Sequence, residues 1–321
     1  MKLGVMDPVL GGYGTEQMLE YLQSLHVQAV ELGSGGFPGE RHMNPQKLAQ
    51  DPLEAKAFLK LFEQYDIEIA ALACHGNPLH PHRDTAARYD EKLHNAILAA
   101  ENLGVETVIT FSGCPGDCEN SRYPNWVTCP WPDDFGKILE WQWNEKLIPY
   151  WRETAQFAKQ HGVKRIALEM HPGFCVYNPE TLLRLREQTD EIITANVDPS
   201  HLFWQGIDPV AAIKALKGAI GHFHAKDTCI DERTTAVNGV LDTKSYADIA
   251  NRSWLFRTVG YGHGKETWNA IISALKTVGY DGVISIEHED SLMSPEEGLE
   301  KAVRFLQEVL IFRKEGEAWW I

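Results

Sequence analysis

The 321-residue chain carries 45 acidic and 30 basic residues, a formal net charge of −15, with 44% hydrophobic residues and six cysteines. That balance argues against nucleic acid as a partner, because such a surface needs a basic face to meet phosphates, and six cysteines in a chain of this length predict no disulfide framework. The opening stretch MKLGVMDPVL lacks the apolar core and cleavage site of a secretory leader, and no apolar run approaches the ~18 residues of a membrane span, so the expectation is a cytoplasmic protein with no membrane partner.

Short β-rich runs alternate with amphipathic helical stretches. In chain order the strand pattern falls on 2–6, 29–35, 67–76, 107–113, 165–171, 192–200, 220–227 and 282–290. Each precedes a helical pattern. Apolar residues recur every three to four positions most clearly at 15–26 and 296–312, and the stretch 91–104 closes on a glycine, as helices often do. Eight such units predict a single α/β domain over 1–321, a (β/α)8 TIM barrel, with the doubly wound sheet as the weaker alternative. Two connections are too long to be simple turns. Loop 4, about 113–135, holds Trp126, Trp131 and three cysteines; loop 7, 228–264, holds Trp254, Phe256 and Arg257. Both follow strands, so both belong on the C-terminal rim, where barrel enzymes keep their chemistry. Their aromatic content predicts ordered walls over a site, with Trp254 and Arg257 as substrate contacts.

The strand ends carry the chemistry. In IALEMHPG (166–173) an apolar run stops in a glutamate and a histidine, although Glu is almost never fully buried without a partner. Side chains alternate along a strand, so Glu169 and His171 share the face of Ala167. By the same parity Thr194, Asn196 and Asp198 share a face, as do His222, His224 and Lys226, and Ser285, Glu287 and Glu289. Taken singly, each residue has an ordinary reading: a solvated acid, a helix cap at Asp198, a hydrogen-bonded core histidine. Jointly, four consecutive strands bring a Glu, an Asp, a His and a Glu to one mouth. Three carboxylates that close repel one another, and a divalent cation resolves the conflict. Glu169 is therefore expected to be a metal ligand.

These motifs, LEMH (168–171), VDPSH (197–201), HFHAKD (222–227), VGYGHG (259–264) and ISIEHED (284–290), resemble in content and order the xylose-isomerase-like TIM-barrel superfamily, in its branch of sugar isomerases and epimerases related to endonuclease IV. The resemblance spans nearly the whole chain. It implies one divalent metal held by Glu169, Asp198, His224 and Glu287, and a substrate-contacting histidine at His201. His75, in CHGNPLHPH (74–82), matches in position a ligand of endonuclease IV. No histidine stands at the fourth strand end, so a three-zinc cluster is incomplete and His75 is expected to support the site or touch substrate. Cys114, Cys118 and Cys129 fit no common zinc spacing. The segment between the seventh-strand motif and the last Glu is about thirty residues longer than in ketose epimerases, so substrate identity does not carry over. Such long forms also resemble large subunits of C-glycoside-cleaving enzymes.

Three carboxylates and one imidazole suit Mn2+ first, with Mg2+, Co2+ and Zn2+ as alternatives. The expected activity is that of an isomerase or epimerase on a ketose or keto-polyol. Glu169 and Glu287 would form the acid–base pair for a C–H beside a metal-polarised carbonyl. His171 and Lys226 would bind sugar oxygens, or Lys226 would instead neutralise the negative charge of the site. The alternative is a keto-sugar lyase, either a dehydratase or a glycoside-cleaving large subunit. A homo-oligomer and a small partner subunit are both open.

Overall fold

Valine, isoleucine and alanine dominate the strand runs because a parallel barrel ringed by helices is buried on both faces. In the computed structural model, which describes residues 1–314, 316 and 320, these runs form β1 (Lys2–Met6), β2 (Ala29–Gly33), β3 (Glu68–Ala73), β4 (Thr107–Thr110), β5 (Arg165–Glu169), β6 (Ile193–Val197) and β7 (Ile220–Ala225). A hairpin of β8 (Asp227–Ile230) and β9 (Trp254–Arg257) follows, and then β10 (Val283–Ile286). Eight of the strands close in the order β1-β10-β7-β6-β5-β4-β3-β2. All eight barrel ladders are parallel, and the pairing of β1 with β10 completes the ring. The expected (β/α)8 barrel is the observed one.

The helices are α1 (Thr15–Ser24), α2 (Pro45–Gln50), α3 (Pro52–Gln64), α4 (Arg83–Leu103), α5 (Asp133–Trp141), α6 (Ile148–Gln160), α7 (Pro179–Gln188), α8 (Pro199–Trp204), α9 (Pro209–Ala215), α10 (Glu232–Asn238), α11 (Lys265–Thr277) and α12 (Pro295–Val309). Several start by one device: an Asn, Asp or Ser cap followed by proline, which has no N–H to leave unpaired. Asn178, Asp208 and Ser294 are such caps. The main apolar core lies between the barrel and this helical layer. Inside the barrel a small plug of Ala71, Ile109 and Ala167 fills the centre, and the polar strand ends stand above it.

Two features differ from the expectation. Most strands end two to four residues early; β5 stops at Glu169 and β10 at Ile286, so His171, Asp198, Lys226 and Glu287 lie beyond the ladders. The expected residues still meet at one mouth, and Asp198 itself is extended, with φ −110° and ψ 107°. Second, loop 7 is not irregular throughout. Its ends pair as the antiparallel hairpin β8–β9, Asp227 opposite Arg257 and Ile230 opposite Trp254. Residues 111–132, between β4 and α5, carry neither helix nor strand.

Candidate metal centre

Glu169 closes β5, Asp198 caps α8, His224 sits on β7, and Glu287 follows β10. One ligand atom from each lies within 4.8 Å of the others. His224 Nδ1 is 2.9 Å from Glu287 Oε2 and 3.7 Å from Glu169 Oε2. Asp198 divides its work: Oδ1 accepts from the Ser200 N–H at 2.8 Å, while Oδ2 is buried with no hydrogen-bond partner. The Lys226 ammonium comes to 3.2 Å of Oδ2 and His201 Nε2 to 3.4 Å, neither in line to donate.

Burial pushes Asp198 up to about 7, with Glu287 and Glu169 adding to the rise against the pull of Lys226 and His224. The other acids are held as anions. Burial opposes ionisation of Glu169, but His201, His75 and Lys226 outweigh it and leave its pKa well below the usual range. Glu287 is drawn down to about 2 by Lys226 and His224, again against burial. Burial and the neighbouring charges of His171 and Lys226 lower His201 to about 3, so it is neutral. A buried donor set of three carboxylates and one imidazole, with one oxygen that accepts no hydrogen bond turned into it, fits a divalent cation.

Glu31 was not foreseen as part of this site. Fully buried on β2, it places Oε2 2.9 Å from His222 Nε2 and both oxygens 3.0 Å from His224 Nε2. With Nε2 donating to Glu31, His224 turns Nδ1 toward Glu169 and Glu287. This is the carboxylate support that metal-ligating histidines usually have. Burial disfavours charge on both partners, yet the two histidines hold Glu31 well below the carboxylate range, and Glu31 with Glu287 raises His224 well above its usual value. The signal was present in AVELGSG: an acid in an apolar strand, the same signature read at Glu169.

The remaining expected residues divide. His75 Nε2 is 2.9 Å from Glu169 Oε2, and His201 Nε2 is 3.1 Å from Glu169 Oε1. His171 packs on His201 with ring centres 4.0 Å apart. Lys226, 2% exposed, sets its ammonium 3.0 Å from Glu287 and 3.1 Å from Glu289, over the Phe256 ring at 4.7 Å. Trp254 and Arg257 stand behind the site. Trp254 is buried and stacks on Trp204 at 4.7 Å, and Arg257 Nε donates to Asp290 at 3.0 Å. The loop 7 ring that reaches the centre is Phe256, 5.3 Å from His201. In loop 4, Trp126 packs edge-on against Tyr177 and Trp131 is 74% exposed. Neither lines the cavity.

That cavity, about 360 Å3, is lined by Glu169, His171, Lys226, Glu287 and His75 on its polar side. Met6, Pro8, Val9, Phe37 and Pro38 line it from the β1 and β2 ends, with Phe111, His288, Glu289 and Pro295 completing it. The VGYGHG loop does not offer its N–H groups to a ligand. Gly260, Gly262 and His263 donate theirs to Asp227 Oδ2 at 3.1, 3.2 and 2.9 Å, and Trp268 Nε1 adds a fourth bond at 3.2 Å. Among the described residues, each group able to hold a metal consists of His, Glu and Asp, without cysteine.

Among curated proteins, the chain is 39% identical over 318 residues to the uncharacterized YfiH protein of Bacillus subtilis, covering 97% of this chain and 99% of that protein. It is 27% identical over 174 residues to inosose dehydratase 2 of Bacillus cereus, covering 53% and 56% of the two chains. Similar solved folds include the probable 3-DHS dehydratase AsbF of Bacillus anthracis, with TM-score 0.67, 16% identity, and 96% and 99% of the chains covered. The zinc-bound IolI protein matches with TM-score 0.65, 18% identity and coverage of 97% and 98%. A D-tagatose 3-epimerase-like protein matches with TM-score 0.63, 22% identity and coverage of 96% and 98%. The model of the xylose isomerase-like TIM barrel family matches residues 19–309, and the chain belongs to that family.

Proposed function

We propose that this chain is a divalent-metal-dependent isomerase or epimerase of a ketose or keto-polyol, working by proton removal next to a carbonyl. The observation that carries the reading is the convergence of Glu169, Asp198, His224 and Glu287, with Asp198 Oδ2 buried and lacking a hydrogen-bond partner. These four residues would hold the cation, Mn2+ first for so oxygen-rich a set. When bound, it supplies Lewis-acid polarisation of a substrate carbonyl.

The chain's own residues do the rest. Glu169 and Glu287 come from β5 and β10, with β6 and β7 between them. They therefore approach a substrate from different sides, one to take a proton and the other to return it. Both are anionic, so either can take the proton, and the one that returns a proton must first have acquired it from solvent or a substrate hydroxyl. His75 bonds one Glu169 oxygen and so helps fix its direction, while His201 Nε2 stands 3.1 Å from the other. Lys226 offsets the negative charge of the cluster. Return of the proton to the same carbon gives epimerisation, and return to the neighbouring carbon gives isomerisation.

Dehydration is the second reading, favoured by the inosose dehydratase relatives. It shares the proton removal and differs in the loss of a hydroxyl from the adjacent carbon. The test is turnover of a keto-polyol panel with Mn2+ in D2O. The expected result is deuterium at the carbon next to the carbonyl, with product mass separating isomerisation from water loss. Turnover without deuterium there, together with no primary isotope effect from substrate deuterated at that carbon, overturns the proposal.

A further inference from the structure

Resting on the reading of this mouth as a keto-polyol site, we propose that its substrate is uncharged and carries a flat apolar substituent, which lies against Phe37 while the polyol end lies over the carboxylates.

The cavity has two zones. The inner one is polar, with Glu169, Glu287 and Lys226. The outer one has a side contributed by the ends of β1 and β2 that offers Pro8, Val9 and Phe37 and no polar side chain, while His288 and Glu289 line the cavity from the β10 end. Phe37 is 62% exposed, yet it is firmly placed. Its N–H donates to the His75 carbonyl at 2.8 Å. Gly36 before it has φ +66°, and a Cβ there would meet the same carbonyl oxygen at 1.8 Å, so the loop can approach only through glycine. The ring tilts against Tyr89 at 5.6 Å and Phe111 at 6.1 Å. A buried clamp holds the two loops together: Asp7 Oδ1 accepts from the Gly33 N–H and Oδ2 pairs with His42 Nδ1, both at 2.6 Å. An exposed ring fixed in advance loses little freedom when a flat group stacks on it.

Charge sets the other half of the specificity. Among the described residues, Lys226 is the one lysine or arginine lining the cavity, and it is ringed by Asp198, Glu287 and Glu289. Three N–H groups of the glycine loop, those of Gly260, Gly262 and His263, belong to Asp227. A phosphate or carboxylate on the substrate's tail would meet carboxylates and no free cation. A cavity of about 360 Å3 is large enough to enclose a substituent beyond the polyol itself.

The test is calorimetric titration of the Mn2+-loaded protein with methyl and phenyl β-D-glucopyranoside, and with glucose and glucose 6-phosphate. The expected result is phenyl binding roughly tenfold tighter than methyl, the worth of one aromatic pair, and glucose binding tighter than its phosphate. Phe37→Ala should bring the phenyl-to-methyl ratio close to one. Equal affinities in the wild type, absence of binding by both glycosides, a ratio preserved in Phe37→Ala, or preference for the phosphate overturns the inference. The glycosides carry no ketone, so this measurement reads the wall without turnover. Deuterium exchange can therefore fail while the phenyl preference stands, and the reverse.

Discussion

Glu169, Asp198, His224 and Glu287 meet at the ends of β5, β6, β7 and β10, while β1 and β2, opposite β5 and β6 in the ring, run out into Pro8, Val9 and Phe37. The polar side is costly to fold. It gathers buried acids whose charges are offset by Lys226 and by histidines, and breaking one such buried pair costs about 3–5 kcal/mol. The apolar side costs little, since an exposed ring on a loop contributes little to folding. Its costly elements are the Asp7–His42 clamp, which does not line the cavity, and the buried Glu31 on β2, which points inward to His222 and His224. A site divided in this way keeps its candidate ligands and its apolar wall on different strands, with Glu31 on β2 supporting His224. One half can change without unmaking the other.

Two substitutions on the polar side test that division with the largest effects. Glu169→Ala or Glu287→Ala should abolish turnover and reduce bound metal, by elemental analysis, from one per chain to near zero. Chelation should then lower the melting temperature of the wild type and not of the variants, because a cation at about 100 times its Kd adds about 2.7 kcal/mol of stability. Full metal occupancy in either variant would remove the centre from this set of residues. Glu31→Gln should act less severely. It keeps the volume and takes away the charge that turns His224, so metal affinity should fall about 10- to 100-fold, the usual worth of such support. Binding of the phenyl glycoside relative to the methyl one should not change.

The halves were also unequally legible. Glu169, His171, Asp198, His224, Lys226 and Glu287 could be found from sequence because a charged residue on a buried strand is out of place, and the period of two tells which neighbours share its face. The barrel itself followed from eight alternations. Phe37, Phe111 and Val9 gave no such signal. An aromatic or valine after a strand is ordinary core composition, and whether it lines a cavity depends on where the loop folds. That is fixed here by the φ of Gly36 and by a backbone bond to His75, far along the chain. Trp254 and Arg257 stand differently from the expectation of substrate contacts. They looked like wall residues, but the β8–β9 hairpin turns Trp254 onto Trp204 and gives Arg257 to Asp290. Long-range pairing of that kind leaves no local periodicity to read.

The smallest expected effect discriminates most sharply between a divided site and a unified one. Phe37→Ala removes a ring that is 62% exposed, so little apolar area is lost from the core and the change in unfolding free energy should stay within about 0.5 kcal/mol. Phe111→Ala, by contrast, deletes a buried ring that stacks on Phe174 at 4.2 Å and meets His75 edge-on, and should cost about 3–5 kcal/mol. The two rings are neighbours, yet Phe111 belongs to the packing of the barrel top and Phe37 only rests on it. His75 is the residue through which the halves could communicate: its carbonyl holds Phe37, and its Nε2 meets Glu169. If the division is real, Phe37→Ala leaves metal stoichiometry and the rate of deuterium exchange at saturating substrate as in the wild type, because the Phe37–His75 bond is made by the backbone and survives loss of the ring. Loss of metal in Phe37→Ala, or a fall in exchange at saturation, would show that the ring braces His75 against Glu169 and that the mouth works as one unit.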